Sequence, residues 1–271
     1  MPELPEVRTV VKALNSVLEN KIIADVTVIK EKMIKDISAN DFITKLKNKK
    51  ILKVSNFGKF IVFFLEDDLV MLSHLRMEGK YHMTEWDNPK HDHVVFTFKD
   101  NTKLYYNDTR QFGTFHLKNL SNYLITKPLS EMGPIPSEAD YLKIYDQVKN
   151  KKAPIKSTLL DQSILSGLGN IYVDEVLWDV KIHPETPSNK ITKEQIKQII
   201  ISSSVILEKA TLAGGSTIRS YASFDNTEGD YQNQLKVHMQ VNKECFRCKE
   251  KIIKIRVGGR GTYLCPKEQK L

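Results

Sequence analysis

Cysteine is scarce in this sequence, with three residues among 271, all of them after residue 244. An odd number of clustered cysteines argues against a disulfide framework and favours a metal site. The chain also lacks an apolar run of bilayer length, and its N-terminus lacks the basic-then-apolar layout of a signal peptide. We therefore expect a cytoplasmic protein without a membrane segment. Because internal repeats and heptad runs are missing too, we expect a globular monomer.

Positive charge, in contrast, is in excess. The formal net charge is +8 and the isoelectric point is about 9.1. Residues 241–271 alone hold nine lysines and arginines against three acids. Such an excess favours a polyanionic partner such as nucleic acid, or an anionic membrane surface. Many basic proteins bind neither, so the charge does not decide between these partners.

The first half of the chain has the pattern of one helix followed by a β-domain. Apolar residues from Val7 to Leu18 recur three and four residues apart, which predicts an amphipathic helix over 5–19. Seven runs rich in Val, Ile and Phe follow, separated by turn signals: 22–29, 51–55, 60–65, 69–74, 93–98, 103–106 and 113–117. Short strands at this spacing predict a sandwich or a barrel.

The second half changes character. Residues 127–139 are broken by proline and glycine and predict a linker, with Ser137 or Asp140 as the cap of the next helix. Helical patterns follow over 139–149, 154–160, 171–180 and 193–212. The pair Gly214-Gly215 predicts the end of the last helix. A polar loop over 216–234 and a cysteine-bearing β-hairpin over 235–267 complete the chain.

The residues Met1-Pro2-Glu3 form a pattern that suits nucleophilic catalysis. Removal of Met1 would leave Pro2 with a free secondary amine beside the carboxylate of Glu3. A terminal amine has a reference pKa of about 7.7–8.0, well below that of lysine, so more of it is neutral at pH 7. Such an amine can attack a carbon atom and form a Schiff base. The alternative is a solvated tail whose prolines begin a helix.

The cysteines have the spacing of a zinc ribbon with one ligand replaced. Cys245-x2-Cys248 is followed after sixteen residues by Cys265-x2-Glu268. Because carboxylates do ligate zinc, Glu268 is the candidate fourth ligand. The alternative is a zinc-free hairpin with buried thiols.

Two further segments of the second half could bind phosphate. Glycines on both sides of Arg260 permit a tight turn that presents its guanidinium group. The run Gly167-Leu168-Gly169-Asn170 precedes a helix, whose N-terminal N–H groups favour an anion. A solvated turn and a plain helix–turn junction are the respective alternatives.

Four candidates lie in the first half. The triplet His91-Asp92-His93 could bind a metal or a phosphate, or form a turn before a strand. Arg110 and Phe112 would share one face of an extended segment, which suits base reading and wedging. Met77 by itself has the pattern of core filler, and Lys59 that of a solvated turn lysine.

Together these motifs resemble those of the formamidopyrimidine-DNA glycosylase family, bacterial repair enzymes for oxidised purines. The resemblance runs through the chain in order: PELPEV, GK at 58–59, HLRMEGK, KHDHV, DTRQFG, SGLGNIYVDE, AGGST and RGTYLCPK. It implies an α+β fold with an N-terminal β-sandwich that has a helix at its start, a C-terminal helix–two-turns–helix domain and a zinc-finger β-hairpin. The implied division is 1–126 (catalytic sandwich), 127–139 (linker), 140–234 (helical domain with the lesion-recognition loop) and 235–271 (zinc-finger hairpin).

The resemblance also implies catalytic roles. Pro2 would attack C1′ of the damaged nucleotide and expel the base, and Glu3 would donate and accept protons. Lys59 would assist β-elimination, and Arg260 would grip the phosphate and assist δ-elimination.

Binding roles follow from the resemblance in the same way. Three residues match those that fill the vacated stack and contact the orphan cytosine: Met77, Arg110 and Phe112. Four match positions on the DNA backbone: His91, Lys151, Lys156 and Asn170. One structural zinc ion would be held by Cys245, Cys248, Cys265 and Glu268.

The sequence departs from the family pattern at three positions. Glu268 replaces a zinc cysteine, Arg76 stands where some members have glycine, and His238 stands where a tyrosine near the phosphates is common. Pro2 and Glu3 are unaffected, but a retained Met1 would turn the Pro2 nitrogen into an amide and abolish the nucleophile.

The leading hypothesis is a bifunctional DNA glycosylase and AP lyase that removes 8-oxoguanine and ring-opened purines from damaged double-stranded DNA. An alternative is an enzyme of the endonuclease VIII type, which prefers oxidised pyrimidines. The Met77, Arg110 and Phe112 set and the loop after Gly215 favour the purine enzyme. A second alternative is a protein that binds damaged DNA without catalysis.

Overall fold

The computed structural model describes residues 1–85, 89–217, 224 and 228–271 and divides into two compact units. The first comprises 1–130 and 214–230, and the second 131–213 and 231–271. The boundary after Ser130 lies inside the segment predicted to be a linker. Residues 214–230 group with the first unit, whereas the sequence-based division assigned this loop to the helical domain. Among the described residues, no helix is long and apolar enough to cross a membrane.

The first unit is a β-sandwich preceded by a helix. Its helices are α1 (Leu4–Leu18) and α2 (Ala39–Leu46). Its strands are β1 (Ile23–Val28), β2 (Ile34–Lys35), β3 (Ile51–Phe57), β4 (Phe60–Leu65), β5 (Leu69–His74), β6 (Lys80–His82), β7 (Asp92–Phe98), β8 (Lys103–Asn107) and β9 (Thr114–Asn119). One sheet has the order β1-β7-β8-β6 and the other the order β2-β9-β5-β4-β3. All pairs except β2–β9 are antiparallel.

A single apolar core fills the space between the two sheets. Phe96 of the first sheet meets Phe115 of the second with ring centroids 6.3 Å apart, and Tyr106 meets the same Phe115 at 4.9 Å. The apolar face of α1 joins this core through residues such as Leu14 and Leu18. Burial of that face holds α1, and therefore the beginning of the chain, against the sandwich.

The second unit is helical with a small hairpin. Its helices are α3 (Tyr141–Val148), α4 (Ile155–Leu159), α5 (Asn170–Asp179) and α6 (Lys193–Leu212), and its hairpin consists of β10 (Ile253–Val257) and β11 (Arg260–Leu264). Asp140, one of the two predicted caps, accepts a hydrogen bond from the Leu142 N–H at 2.9 Å. At the start of α6, Thr192 and Gln195 exchange two bonds in a capping box.

The periodicity predicted every long element but missed short ones. The seven strand-like runs and the five helical patterns all correspond to observed elements. The helix α2 and the strands β2 and β6 were not predicted. The two strands have two and three residues, too few to establish a period, whereas α2 has eight residues, as the predicted helix α3 does, so its length does not explain the omission.

The docking of α1 can be tested by truncating its buried face. We expect Leu14→Ala to lower the free energy of unfolding by about 3 kcal/mol, because it removes a side chain that is fully buried in the core. The matched change Leu52→Ala, at a position 46% exposed, should cost less than about 0.5 kcal/mol. Urea unfolding followed by circular dichroism measures both, and equal losses would contradict the core described above.

Candidate functional site

The beginning of the chain is enclosed rather than solvated. Pro2 and Glu3 are buried, and α1 begins at Leu4 directly after them. Burial lowers the pKa of the Met1 amino group, and the charges of Glu3, Glu6 and Lys59 also act on it. The structure therefore brings three of the predicted catalytic residues, Pro2, Glu3 and Lys59, into one neighbourhood. Met1 precedes Pro2 here, so the Pro2 nitrogen is an amide.

Glu6 holds this neighbourhood together, although the motif analysis assigned it no role. Its Oε2 accepts a hydrogen bond from the Glu3 N–H at 2.9 Å, and its Oε1 accepts one from the Ser216 N–H at 2.7 Å. Gly215 has a φ of +78°, and a side chain there would lie 2.8 Å from Glu6 Oε1. Gly215 is therefore needed for close approach to Glu6, in addition to the role of the glycine pair in ending the helix.

Lys59 is buried, which corrects the interpretation of it as a solvated turn lysine. It lies in the two-residue turn between β3 and β4, next to Gly58 with a φ of +51°. The register Phe57–Phe60 closes that turn. The hairpin thus directs the Lys59 side chain inward.

Met77 lies at the tip of the turn after β5 and is 38% exposed, so it does not fill the core. The preceding Arg76 has a φ of +54°, a conformation that costs little for glycine and more for other residues. His74 supports the turn by accepting a hydrogen bond from the Arg76 N–H at 2.9 Å on Nδ1. Burial lowers the pKa of His74 to about 3, which keeps that nitrogen available as an acceptor.

Arg110 and Phe112 lie together on a second exposed turn. Phe112 is 52% exposed, and the Arg110 guanidinium carbon lies 5.0 Å from the centre of its ring. The shared face predicted for these two residues is observed, but the segment is a turn and not extended, because Gln111 has a φ of +56°. A Cβ atom on Gly113 would overlap the Tyr106 hydroxyl group, and so would one on Gly79 of the Met77 turn.

The triplet 91–93 does not converge on a metal. Asp92 faces the interior, where its Oδ1 lies 2.9 Å from His82 Nε2 and accepts a bond from Asn107 Nδ2 at 2.8 Å. His93 is buried and its Nε2 lies 3.0 Å from the Asp108 carbonyl oxygen. Within the part of the chain that the structure describes, the only group of potential metal ligands consists of cysteines. His91 remains half-buried at the start of β7.

In the second unit, Lys156 lies at the centre of a buried network. Its Nζ donates to Asp174 Oδ1 at 2.7 Å, to Thr262 Oγ1 at 2.8 Å and to the Gly261 carbonyl oxygen at 3.2 Å. Asn170 Nδ2 donates to the same carbonyl oxygen at 3.0 Å. The network therefore fixes the backbone directly after Arg260, whose own side chain is exposed.

The Arg260 turn is shaped by glycine on its other side. Gly258 and Gly259 have φ values of +53° and +77°. A Cβ atom on Gly258 would lie 2.6 Å from Ser157 Oγ, so the turn passes close to α4. Lys151, the remaining predicted backbone contact, is exposed after α3.

His238 and Glu175 extend the network. His238 Nδ1 lies 2.8 Å from Asp174 Oδ2, so that carboxylate bridges His238 and Lys156. Glu175 is buried and accepts bonds from three successive N–H groups, those of residues 236, 237 and 238, at 2.8–2.9 Å. No signal in the sequence set Asp174 and Glu175 apart as buried acids; they are neighbours in the SGLGNIYVDE motif, in the middle of α5.

The three cysteines converge as the spacing predicted. The sulfur atoms of Cys245, Cys248 and Cys265 all lie within 4.8 Å of one another. Burial acts to raise the pKa of Cys245, but N–H groups of residues 247 and 248 and the Trp178 indole outweigh it and bring the pKa to about 7. Such N–H···S bonds are favourable to thiolate, the form that ligates a metal.

Glu268 lies apart from this three-sulfur group. Its Oε2 atom lies 3.2 Å from Lys181 Nζ. This oxygen atom is buried and accepts no hydrogen bond from any residue that the structure describes. The side chain is thus next to the sulfurs in sequence and carries an acceptor with spare capacity. The donor set of three thiols and one carboxylate is chemically suited to zinc.

The buried lysine gives a test of the network. We expect Lys156→Met to lower the free energy of unfolding by about 3 kcal/mol or more, because Asp174 would stay buried without its main counter-charge. Lys149→Met removes a lysine from an exposed pair with Asp146 and should leave stability unchanged within error. Chemical denaturation measures the free energy of unfolding of both variants. If Lys156→Met were as stable as Lys149→Met, Lys156 would not be the main counter-charge of buried Asp174.

Comparison with known proteins agrees with this geometry. The family profile for the formamidopyrimidine-DNA glycosylase N-terminal domain matches residues 1–115, and that for the H2TH domain matches 132–222. Formamidopyrimidine-DNA glycosylases of Mycoplasma mobile and Mycoplasmopsis pulmonis are 48% and 47% identical over 273 residues, covering 100% of this chain and 100% and 98% of theirs. Two solved structures of Lactococcus lactis FPG are also similar, and each alignment covers 100% of both chains. A mutant bound to Fapy-dG DNA has a TM-score of 0.93 and 38% sequence identity. A complex with abasic-site DNA has a TM-score of 0.91 and 36% sequence identity. The chain therefore belongs to the formamidopyrimidine-DNA glycosylase family, whose members are DNA glycosylases of base-excision repair.

Proposed function

We propose that this protein excises oxidised purines from damaged double-stranded DNA and then cleaves the strand, using Pro2 as the nucleophile. The observation that carries the proposal is the enclosure of Pro2 and Glu3 next to Lys59, in a chain whose family acts as glycosylase and AP lyase. The substrates are 8-oxoguanine and formamidopyrimidines.

The reaction begins at the Pro2 nitrogen once Met1 has been removed. The free amine attacks C1′ of the damaged nucleotide and the base leaves with the electrons of its bond to C1′. The C1′–O4′ bond of the sugar then opens, O4′ takes up a proton, and C1′ and the Pro2 nitrogen form the Schiff base. Glu3 transfers protons, Lys59 assists β-elimination, and Arg260 holds the phosphate and assists δ-elimination.

Excision requires that the damaged base leaves the stack, which costs about a few kcal/mol. We assign Met77 and Phe112 to the vacated space and Arg110 to the orphan cytosine. Their support is their position on exposed turns, where apolar side chains have no core to fill. The loop over 216–234, to which we assign contact with the extruded purine, includes 218–223 and 225–227, which lie outside the described residues.

The predicted contacts with the DNA backbone are His91, Lys151, Lys156 and Asn170. Lys151 is exposed and can reach a phosphate directly. The buried amine of Lys156 and the amide of Asn170 would act through the Gly261 carbonyl group, which both contact, and so through the placement of Arg260.

The zinc-finger hairpin would hold one structural zinc ion through Cys245, Cys248, Cys265 and Glu268. Three clustered thiols support this set among the described residues, and Glu268 would join them by leaving Lys181, whose Nζ lies 3.2 Å from its Oε2. The ion would supply a cross-link between the two knuckles of the finger and take no part in the reaction. We further infer that the protein acts as a monomer on DNA in the cytoplasm.

Schiff-base trapping tests the nucleophile. With borohydride and duplex DNA containing 8-oxoguanine opposite cytosine, we expect a covalent adduct with the wild type and none with Pro2→Gly. Pro5→Ala, a change of the nearby proline in the first turn of α1, should retain the adduct. Mass spectrometry of the active protein must show Met1 absent, and a sugar attached to any other residue would overturn the mechanism.

The same assays distinguish the alternative functions. Excision of an oxidised pyrimidine in preference to 8-oxoguanine would favour the endonuclease VIII-like enzyme. Binding of damaged DNA without formation of an adduct would favour the non-catalytic DNA-binding protein.

Metal analysis tests the finger. We expect one zinc ion per chain in the wild type, faster loss to a chelator in Glu268→Ala, and slower loss in Glu268→Cys, because a thiolate replaces the carboxylate. Glu244→Ala, an exposed acid of the same hairpin, should behave as the wild type. A wild type that contains no zinc, or Glu268→Ala that retains zinc as the wild type does, would exclude the proposed ligand set.

A further inference from the structure

The turn over 108–113 is built around a buried acid that the proposed mechanism does not use. Asp108 is fully buried, and its Oδ1 accepts a hydrogen bond from the Arg110 N–H at 3.0 Å. Its Oδ2 accepts from the N–H groups of Phe112 at 2.9 Å and Gly113 at 2.8 Å. One side chain thus holds the backbone of both residues that carry the exposed Arg110 and Phe112 side chains.

The base of this turn is also fixed. The Asp108 N–H donates to the His91 carbonyl oxygen at 3.0 Å, and the Asp108 carbonyl oxygen lies 3.0 Å from His93 Nε2. Burial lowers the pKa of His93, so its neutral ring can donate through Nε2 to that carbonyl group. On the far side, Gly113 lies against the ring and hydroxyl group of Tyr106.

The turn needs such support because its backbone is unfavourable by itself. Gln111 has a φ of +56°, a conformation that a non-glycine residue adopts at a cost. Arg110 and Phe112 are exposed on either side of Gln111, with the Arg110 guanidinium group over the Phe112 ring. Because neither side chain is buried in a core, the three hydrogen bonds to Asp108 fix the backbone from which both project.

We propose that Asp108 is a positioning residue for the readout of the opposite base: its buried carboxylate clamps the 108–113 turn so that Arg110 and Phe112 are presented in one fixed arrangement. This inference rests on the proposed function, in which Arg110 contacts the orphan cytosine. Weakening the clamp should reduce the discrimination between cytosine and adenine opposite 8-oxoguanine. Chemistry at an abasic site, where Pro2 and Lys59 act, should be little affected.

Two substitutions of Asp108 remove different numbers of the hydrogen bonds that hold the turn. Asparagine has one acceptor oxygen, so Asp108→Asn can keep at most two of the three hydrogen bonds, and Asp108→Ala keeps none.

Two control variants separate the positioning of Arg110 and Phe112 from the loss of an exposed turn or of overall stability. Asp100→Ala removes an aspartate that supports an exposed turn by accepting from the Thr102 N–H at 3.1 Å. Val26→Ala removes core volume from β1 of the same unit and serves as a variant of lowered stability.

The full-length processed proteins are compared on 8-oxoguanine opposite cytosine, on 8-oxoguanine opposite adenine, and on an abasic site. We expect the wild type to prefer cytosine in kcat/KM, with the ratio reduced about tenfold in Asp108→Ala, roughly the value of one base contact, and less in Asp108→Asn. Abasic-site cleavage should stay within about twofold of the wild type in both. Asp100→Ala and Val26→Ala should keep the wild-type ratio.

A second readout follows the turn itself. Limited trypsin digestion without DNA should cleave after Arg110 faster in Asp108→Ala than in the wild type and both controls, because the released turn can enter the protease. An unchanged cytosine-to-adenine ratio in Asp108→Ala, an equal loss of the ratio in Val26→Ala, or equal resistance to trypsin would overturn the proposal. If the wild type cleaved neither 8-oxoguanine DNA nor abasic-site DNA, the proposed glycosylase and lyase function, on which this inference rests, would be overturned instead.

Discussion

The proposed chemistry depends on the fixation of the chain's beginning by Glu6. A terminal segment is ordinarily among the most mobile parts of a domain, and a mobile amine has no defined direction of attack. Here the buried carboxylate of Glu6 accepts one hydrogen bond from the Glu3 backbone and another from Ser216. The same side chain therefore joins the start of α1 to the segment that follows α6, and the apolar face of α1 holds both against the sandwich.

Buried acids support three of the segments to which we assign a function. Glu6 supports Pro2 and Glu3, Asp108 supports Arg110 and Phe112, and Asp174 supports the Arg260 turn through Lys156. In each case the carboxylate bonds to backbone N–H groups or to a single cation, which offsets the cost of its burial. Of the residues supported in this way, Arg110, Phe112 and Arg260 have exposed side chains, as binding to a polyanion requires.

Much of the architecture could be predicted from residue patterns. The strands from β3 to β5 are long and rich in Val, Ile and Phe, and their turns carry strong signals, so their bounds were predicted within a few residues. The strands β2 and β6 were missed because two or three residues do not establish a period, and the helix α2 was missed although α3, of equal length, was predicted. The zinc-ribbon spacing correctly predicted that three cysteines converge, because the ligand spacing is itself a local property.

The sequence by itself indicated the family, the order of the longer elements and the candidate residues of the site, since these depend on local spacing and on residue chemistry. Only the tertiary structure decided that Lys59 and Lys156 are buried, that Asp92 faces the interior and that Glu6, Asp108 and Glu175 hold loops. The physical reason is that burial and hydrogen-bond partners come from residues distant in sequence. An isolated lysine or aspartate has the same local pattern in a solvated turn as in a buried network, and only the packing around it distinguishes the two.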